Sequence, residues 1–204
     1  MAFIQAEPKA LTDSHVQQLY DRQRRAFGYL PNYAELFSHR PEIIDLWAEL
    51  QRGLRRHITP RMFELVTMAA AGALKSSYCS LAHGCRLREY FTDAEIESLA
   101  AGEYEGIVDI REAAAMAYAA QLAADATSVT DAHLAPMRAA RFSDAEIFDV
   151  AGVAAGRAFF SKLVEGLGAL PDPAYLQLET PLRRALTVGR RIESEERAAP
   201  VESG

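Results

Sequence analysis

The chain has 204 residues, of which 50% are hydrophobic and 25% charged, and it carries a formal net charge of −6. This composition is typical of one soluble globular domain, and the negative charge argues against general nucleic-acid binding. No apolar run reaches the roughly 18 residues of a membrane span, and the N-terminus lacks the features of a signal peptide. Only two cysteines are present, too few for a disulfide scaffold, which predicts a reducing, cytoplasmic compartment.

Apolar residues at helical spacing predict three helices in the first part of the chain, over residues 13–27, 31–37 and 41–54. The basic run Arg55-Arg56-His57 follows the third helix. Cations complement the helix dipole at that end. We therefore interpret the run as a helix terminus in preference to a patch for an anionic substrate.

Two further helices are predicted within residues 59–91, meeting at a small, polar junction. Glu64 is the only acid in the first of them, and Ser76 stands near the start of the second. Cys79 and His83 follow four residues apart, which places a thiol and an imidazole on one helix face. The pattern predicts that a carboxylate, a hydroxyl, a thiol and an imidazole converge at this junction.

The predicted surroundings of Cys79 favour a reactive thiol. The first turn of a helix stabilises an anion, and a neighbouring imidazolium lowers a thiol pKa further. Glu64 is in a position to orient His83 or to accept its proton. The structural alternative is a small buried cysteine and a histidine that merely satisfies a partner. One Cys-x3-His pair is weak support for a metal site, so we predict neither metal nor cofactor.

An internal repeat relates two parts of the chain. Residues 91–96 (FTDAEI) return as residues 142–147 (FSDAEI), and both segments read as helix-opening capping boxes. The same offset aligns Glu64, Cys79 and His83 with three residues that lack their chemistry: Ala115, Thr130 and Leu134. The second copy keeps the scaffold without the polar group, which favours a function for that group in the first copy.

No stretch shows sustained strand-like alternation, so the sequence predicts an all-α protein. We expect one domain over residues 1–175, followed over 176–204 by a C-terminal helix at about 182–191 and a disordered tail. Several helices, including the long one at 144–167, are apolar nearly all round. Such surfaces predict a homo-oligomer.

The spacing Glu64-x11-Ser76-x-x-Cys79-x-x-x-His83 resembles the alkylhydroperoxidase D / carboxymuconolactone decarboxylase family, whose redox members carry E-x11-C-x-x-C-x-x-x-H. Ser76 stands where the family's first cysteine would be. The flanking segments look like the peroxidase-related branch of that family: residues 27–32, 41–43 and 139–168. The resemblance runs from about residue 27 to about residue 175.

The resemblance implies an alkylhydroperoxidase D-like helical bundle that assembles as an oligomer. It also implies an antioxidant activity, in which Cys79 reduces alkyl hydroperoxides with His83, Glu64 and Ser76 around it. Ser76 cannot close the family's disulfide. Cys85 lies about 240° around and about 9 Å along the helix from Cys79, beyond the roughly 7 Å that a disulfide spans. An external thiol is therefore the expected reductant.

Two alternatives remain open at this stage. Family members that are cofactor-free decarboxylases or lactone-processing enzymes imply acid–base catalysis by Glu64 and His83 on an organic acid, with Cys79 only lining the pocket. A degenerate, non-catalytic oligomeric scaffold is the other alternative. Neither involves nucleic acid or a membrane.

Overall fold

The computed structural model describes residues 2–7 and 12–194. All regular structure within these residues is helical, which confirms the all-α prediction. Ten α-helices follow in chain order, joined by loops and short 3₁₀ turns: α1 (Ser14–Phe27), α2 (Asn32–Leu36), α3 (Pro41–Leu54), α4 (Pro60–Ala73), α5 (Ser77–Leu87), α6 (Asp93–Ala100), α7 (Ile110–Ala124), α8 (Asp131–Ala139), α9 (Asp144–Gly166) and α10 (Thr180–Leu186). The predicted tail at residues 195–204 lies outside the described residues.

The helices begin where side chains cap their free N–H groups. Thr59 accepts a hydrogen bond from the backbone of the first turn of α4, with Pro60 as the first helical residue. Both repeated capping boxes are confirmed: Thr92 begins α6 and Ser143 begins α9, each paired with the glutamate three residues on. The repeat therefore marks equivalent helix starts.

Helix α4 lies at the centre of the molecule and contributes to three apolar clusters. Its Ala71 packs with α1, α3 and the C-terminal half of α9. Phe63 and Val66 pack with α7 and the N-terminal half of α9. Leu65 and Met68 pack with α5, α6 and α10. Burial on all sides explains why α4 is apolar around its whole circumference.

The packing continues past residue 175. Leu182 and Leu186 of α10 are fully buried, and a Cβ added at Gly84 of α5 would lie 2.5 Å from Leu186 Cδ1. Gly189 donates its N–H to Ser77 Oγ at 2.7 Å. Helix α10 is shorter than the expected helix at 182–191, because Thr187 already leaves the helical conformation. No helix of the described residues is long and apolar enough to cross a membrane.

Candidate active site

A cleft of about 810 Å³ opens between α1, α3, α5 and α9. Helix α5 presents one face to it, on which Cys79, Ala82, His83 and Arg86 repeat at intervals of three or four residues. The predicted i, i+4 pair of thiol and imidazole therefore lines a single cavity.

Cys79 lies in the first turn of α5 and is 2% exposed. Its Sγ accepts a hydrogen bond from Ser161 Oγ at 3.2 Å and one from Arg157 Nη1 at 3.5 Å. Ser76 caps the same helix, and its Oγ accepts from the Cys79 N–H at 3.5 Å. The sulfur thus faces a hydroxyl donor and a guanidinium donor, both from α9.

Arg157 is the residue of this site that sequence reasoning missed most clearly. It is 6% exposed, and its guanidinium lies 5.7 Å from the Trp47 ring centre and 5.5 Å from that of Phe160. Its Nε–H has no acceptor among the described residues, and no carboxylate of theirs lies within ion-pair distance. A buried cation without a carboxylate is costly, so an anion in the cleft is its natural partner.

Glu64 and His83 form the buried pair that the sequence predicted. His83 Nδ1 lies 2.5 Å from Glu64 Oε2, although 19 residues separate them in the chain. Arg55, just beyond the C-terminus of α3, reaches Glu64 Oε1 at 3.4 Å and stacks on Phe63. Arg55 therefore contacts the site, which its interpretation as a helix terminus did not include.

The environment lowers the pKa values of both members of this pair. Burial, followed by the positive charge of Arg157, lowers the pKa of His83 to about 4 despite the opposing effect of Glu64. Burial also acts to raise the pKa of Glu64, but the hydrogen bond with His83 and the nearby positive charges outweigh it and leave that pKa below its usual range. Near pH 7 an ionised Glu64 accepts from His83 Nδ1–H, which leaves the lone pair on Nε2.

Ser76 is fully buried and donates its hydroxyl to Glu165 Oε1 at 3.0 Å. Glu165 in turn pairs with Arg190 at 3.3 Å. Both cysteines are free thiols, and Cys85 lines the same cleft. Burial raises the pKa of the Cys85 thiol, which disfavours its thiolate.

A second polar group, which nothing in the sequence pattern indicated, also lines the cleft. Asp172 is 2% exposed and accepts hydrogen bonds from Tyr78 Oη at 2.6 Å, Tyr29 Oη at 3.3 Å and the Asn32 N–H at 2.7 Å. Burial raises the pKa of its carboxyl above the usual range. In the part of the chain that the structure describes, no three His, Cys, Asp or Glu side chains form a group suited to a metal ion.

No family model and no curated protein matches this sequence. Several solved structures, however, match the fold of this chain. A peroxidase-related protein from Ralstonia eutropha JMP134, described as an alkylhydroperoxidase AhpD core, superposes with a TM-score of 0.67 at 20% identity, covering 90% of this chain and 95% of its own. A peroxidase-related protein from Silicibacter sp. TM1040 gives 0.69 at 17% identity, covering 87% and 93%. The chain has the alkylhydroperoxidase D-like fold.

A third neighbour with the alkylhydroperoxidase D-like fold is an enzyme. The debrominase Bmp8, solved in complex with 2,3,4-tribromopyrrole, gives a TM-score of 0.67 at 14% identity and covers 90% of this chain and 95% of its own. The fold is therefore shared by proteins described as peroxidase-related and by one described as a debrominase.

Proposed function

We propose that the protein is a thiol-dependent antioxidant oxidoreductase that reduces alkyl hydroperoxides through Cys79. One observation carries the proposal: the Cys79 sulfur accepts hydrogen bonds from Ser161 and Arg157 in a cleft that also contains the Glu64–His83 pair. A donor hydroxyl and a guanidinium stabilise a thiolate, which is the nucleophilic form of cysteine.

In the first half of the reaction the Cys79 thiolate attacks the terminal oxygen of the hydroperoxide. An S–O bond forms and the O–O bond breaks, so the sulfur is oxidised to a sulfenic acid and the peroxide is reduced to an alcohol. The leaving alkoxide takes one proton. Arg157 donates to the sulfur at 3.5 Å, and its positive charge there stabilises the negative charge that develops on the leaving oxygen.

His83 and Glu64 supply the proton path. When the thiol ionises, the neutral imidazole accepts the proton at Nε2, and the Glu64 carboxylate stabilises the imidazolium through Nδ1–H. The same proton then passes to the alkoxide. Because the pKa of His83 is low, the imidazolium releases its proton readily. The side chain therefore transfers the proton and does not remain protonated.

The second half needs an external thiol, because Ser76 offers no sulfur. One molecule of that thiol displaces water from the sulfenic acid and forms a mixed disulfide with Cys79. A second molecule releases the Cys79 thiol and leaves as the oxidised disulfide. We propose that this cycle takes place in the reducing cytoplasm, where such thiols are present.

The test follows the consumption of tert-butyl hydroperoxide with dithiothreitol, using the wild-type protein and two single variants. Cys79→Ser is expected to abolish the reaction, whereas Cys85→Ser is the matched control and should keep it. Dimedone should trap a sulfenic acid on Cys79 in the Cys85→Ser protein, as detected by peptide mass spectrometry. Equal rates for the two variants, with no dimedone adduct on Cys79, would refute the proposal.

Acid–base catalysis is the second candidate, because the Glu64–His83 pair is complete without the thiol. A cofactor-free decarboxylase or lactone-processing enzyme would use His83 and Glu64 on an organic acid. Its activity would survive Cys79→Ser and be lost in Glu64→Gln, whereas Cys79→Ser is expected to abolish the peroxidase activity. A non-catalytic scaffold would show neither dependence.

We also propose that the chain forms a homo-oligomer through the outer faces of α3 and α9. Large apolar side chains are exposed there: Leu46 63%, Leu50 49%, Phe148 72% and Phe159 47%. Exposed apolar groups of this size are typical of an interface. In sedimentation equilibrium the wild type should exceed the 22.5 kDa of one chain, and Phe148→Glu should lower the mass, while the control Ile110→Glu should not. A wild-type monomer would refute the proposal.

A further inference from the structure

The cleft is rich in positive charge although the whole chain carries −6. Five arginines line it: Arg22, Arg52, Arg55, Arg86 and Arg157. Two of them have carboxylate partners, since Arg22 pairs with Asp45 and Arg52 pairs with Glu49. The other three lie near the candidate catalytic pair, because their charges act on the pKa values of His83 and Glu64.

Among the described residues, Glu64 is the only carboxylate that pairs with any of these three guanidiniums. Arg55 has Glu64 at 3.4 Å, but no carboxylate of the described residues lies within ion-pair distance of Arg86 or Arg157. The charges interact with each other, because Arg86 and Arg157 both act to lower the pKa of Arg55, after burial as the main cause. Even with Glu64 ionised and Cys79 a thiolate, one positive charge remains in excess.

The carboxylates elsewhere in the cleft do not remove that excess. Asp172 is engaged by two tyrosine hydroxyls and a backbone N–H. Glu89 is exposed in the turn that follows α5, outside ion-pair distance of the described arginines. An anion from solution is therefore the partner that this group of arginines lacks.

The remaining walls of the cleft favour a ligand that contains an aromatic ring. Seven Phe, Tyr and Trp side chains line it: Phe27, Tyr29, Tyr33, Trp47, Tyr78, Phe160 and Tyr175. Trp47 and Phe160 stack at 5.5 Å with an angle of 21° between their planes, and Arg157 lies over both. A flat apolar group packs well on such a surface, and a carboxylate matches the planar guanidinium fork.

We propose that the cleft binds a small aromatic monocarboxylate, with its carboxylate at Arg86 and Arg157 and its ring on the wall formed by Trp47. One anionic group balances the one excess charge. Insofar as this names a substrate class it rests on the proposed function: the preferred substrate is then a hydroperoxide that carries an aromatic ring and a carboxylate. Binding itself does not depend on peroxide chemistry.

Trp47 makes the test direct, because it is the only tryptophan in the chain and it lines the cleft. Its fluorescence is titrated with phenylacetate and with the uncharged isostere phenylacetamide. The acid is expected to bind at least tenfold more tightly. Arg86→Gln should remove the preference, and Arg157→Gln should do the same if it folds. The matched control Arg88→Gln should keep it, because Arg88 directly follows the last residue of α5 and pairs with Asp93 at 2.8 Å.

A second readout separates this inference from the proposed function. Bound phenylacetate is expected to slow the alkylation of Cys79 by iodoacetamide at least fivefold in the Cys85→Ser protein. Equal affinity for acid and amide, or a preference that survives Arg86→Gln, would overturn the inference even if tert-butyl hydroperoxide is turned over. Tight, Arg86-dependent binding without any peroxidase activity would support the inference and refute the proposed function.

Discussion

Ser161→Ala tests most sharply whether Cys79 acts as a thiolate. The substitution removes only the hydroxyl that donates to Sγ at 3.2 Å, while Arg157 at 3.5 Å remains. Ser161 is 1% and Cys79 is 2% exposed, so water does not readily replace the lost donor. A hydrogen bond to a charged group contributes about 1.5–3 kcal/mol. Its loss should therefore lower the thiolate fraction by about 10- to 150-fold.

The observed rate should fall by less than the thiolate fraction. A less stabilised thiolate is a better nucleophile, with a Brønsted coefficient of about 0.4–0.5. Combining the two effects gives an expected decrease of about 4- to 20-fold in the second-order rate of alkylation. The comparison is made on the acid limb of the pH profile, where the rate rises tenfold per pH unit and the thiol form predominates.

The assay uses the Cys85→Ser protein, so that Cys79 is the only reactive cysteine, and follows iodoacetamide labelling by intact mass. Ser38→Ala is the matched control, because Ser38 is also buried, at 3% exposure, and donates to a backbone carbonyl away from the cleft. If Ser161→Ala and Ser38→Ala react at the same rate within twofold, the hydroxyl does not stabilise a thiolate and the reasoning is wrong.

Three further outcomes are expected. Gly84→Ala should destabilise the fold by about 1–3 kcal/mol in urea unfolding, because its Cβ would overlap Leu186; Gly72→Ala, with open space around it, should not. The pKa of His83 is lowered from 6.5 to about 4 on folding. As the pH falls, the unfolded chain therefore binds this proton at a higher pH than the folded chain does. The resulting contribution to the free energy of unfolding, up to about 3 kcal/mol, is complete above about pH 6.5 and is lost as the pH falls toward 4. In urea unfolding, His83→Asn should therefore lose less stability than the wild type over this pH range. Ser76→Cys restores the two-cysteine spacing and should form a peroxide-induced disulfide, seen by peptide mapping; its absence would show that the cleft no longer accommodates one.

Local sequence signals were sufficient for the helices and for the Glu64–His83 pair. Caps and apolar spacing act within one or two turns, so they can be read without knowledge of the rest of the fold. Glu64 and His83 lie on two consecutive helices joined by a short turn, and the i, i+4 spacing already placed His83 beside Cys79. Their contact follows from the geometry of a single helical hairpin.

The α9 side of the site could not be derived in that way. Arg157 and Ser161 are 78 and 82 residues from Cys79, and only the packing of α9 against α5 brings them to the sulfur. A signal was nevertheless present. Arg157 is a cation within a helix that is otherwise apolar and small around it, and a buried cation needs a specific partner. The apolar pattern predicted that this helix lies centrally or at a subunit interface, and the prediction did not consider its one buried charge.

The internal repeat explains why the second half of the chain contributes to a site whose polar residues lie in the first half. Thr92 and Ser143 begin equivalent helices, but α6 ends at Ala100 whereas α9 continues to Gly166. The repeat offset aligns the end of α6 with residue 151, so Arg157 and Ser161 belong to the extension of α9 that has no counterpart in α6. The second copy therefore lacks the thiol and the proton-transfer pair, and its longer helix supplies the donors that the thiol requires.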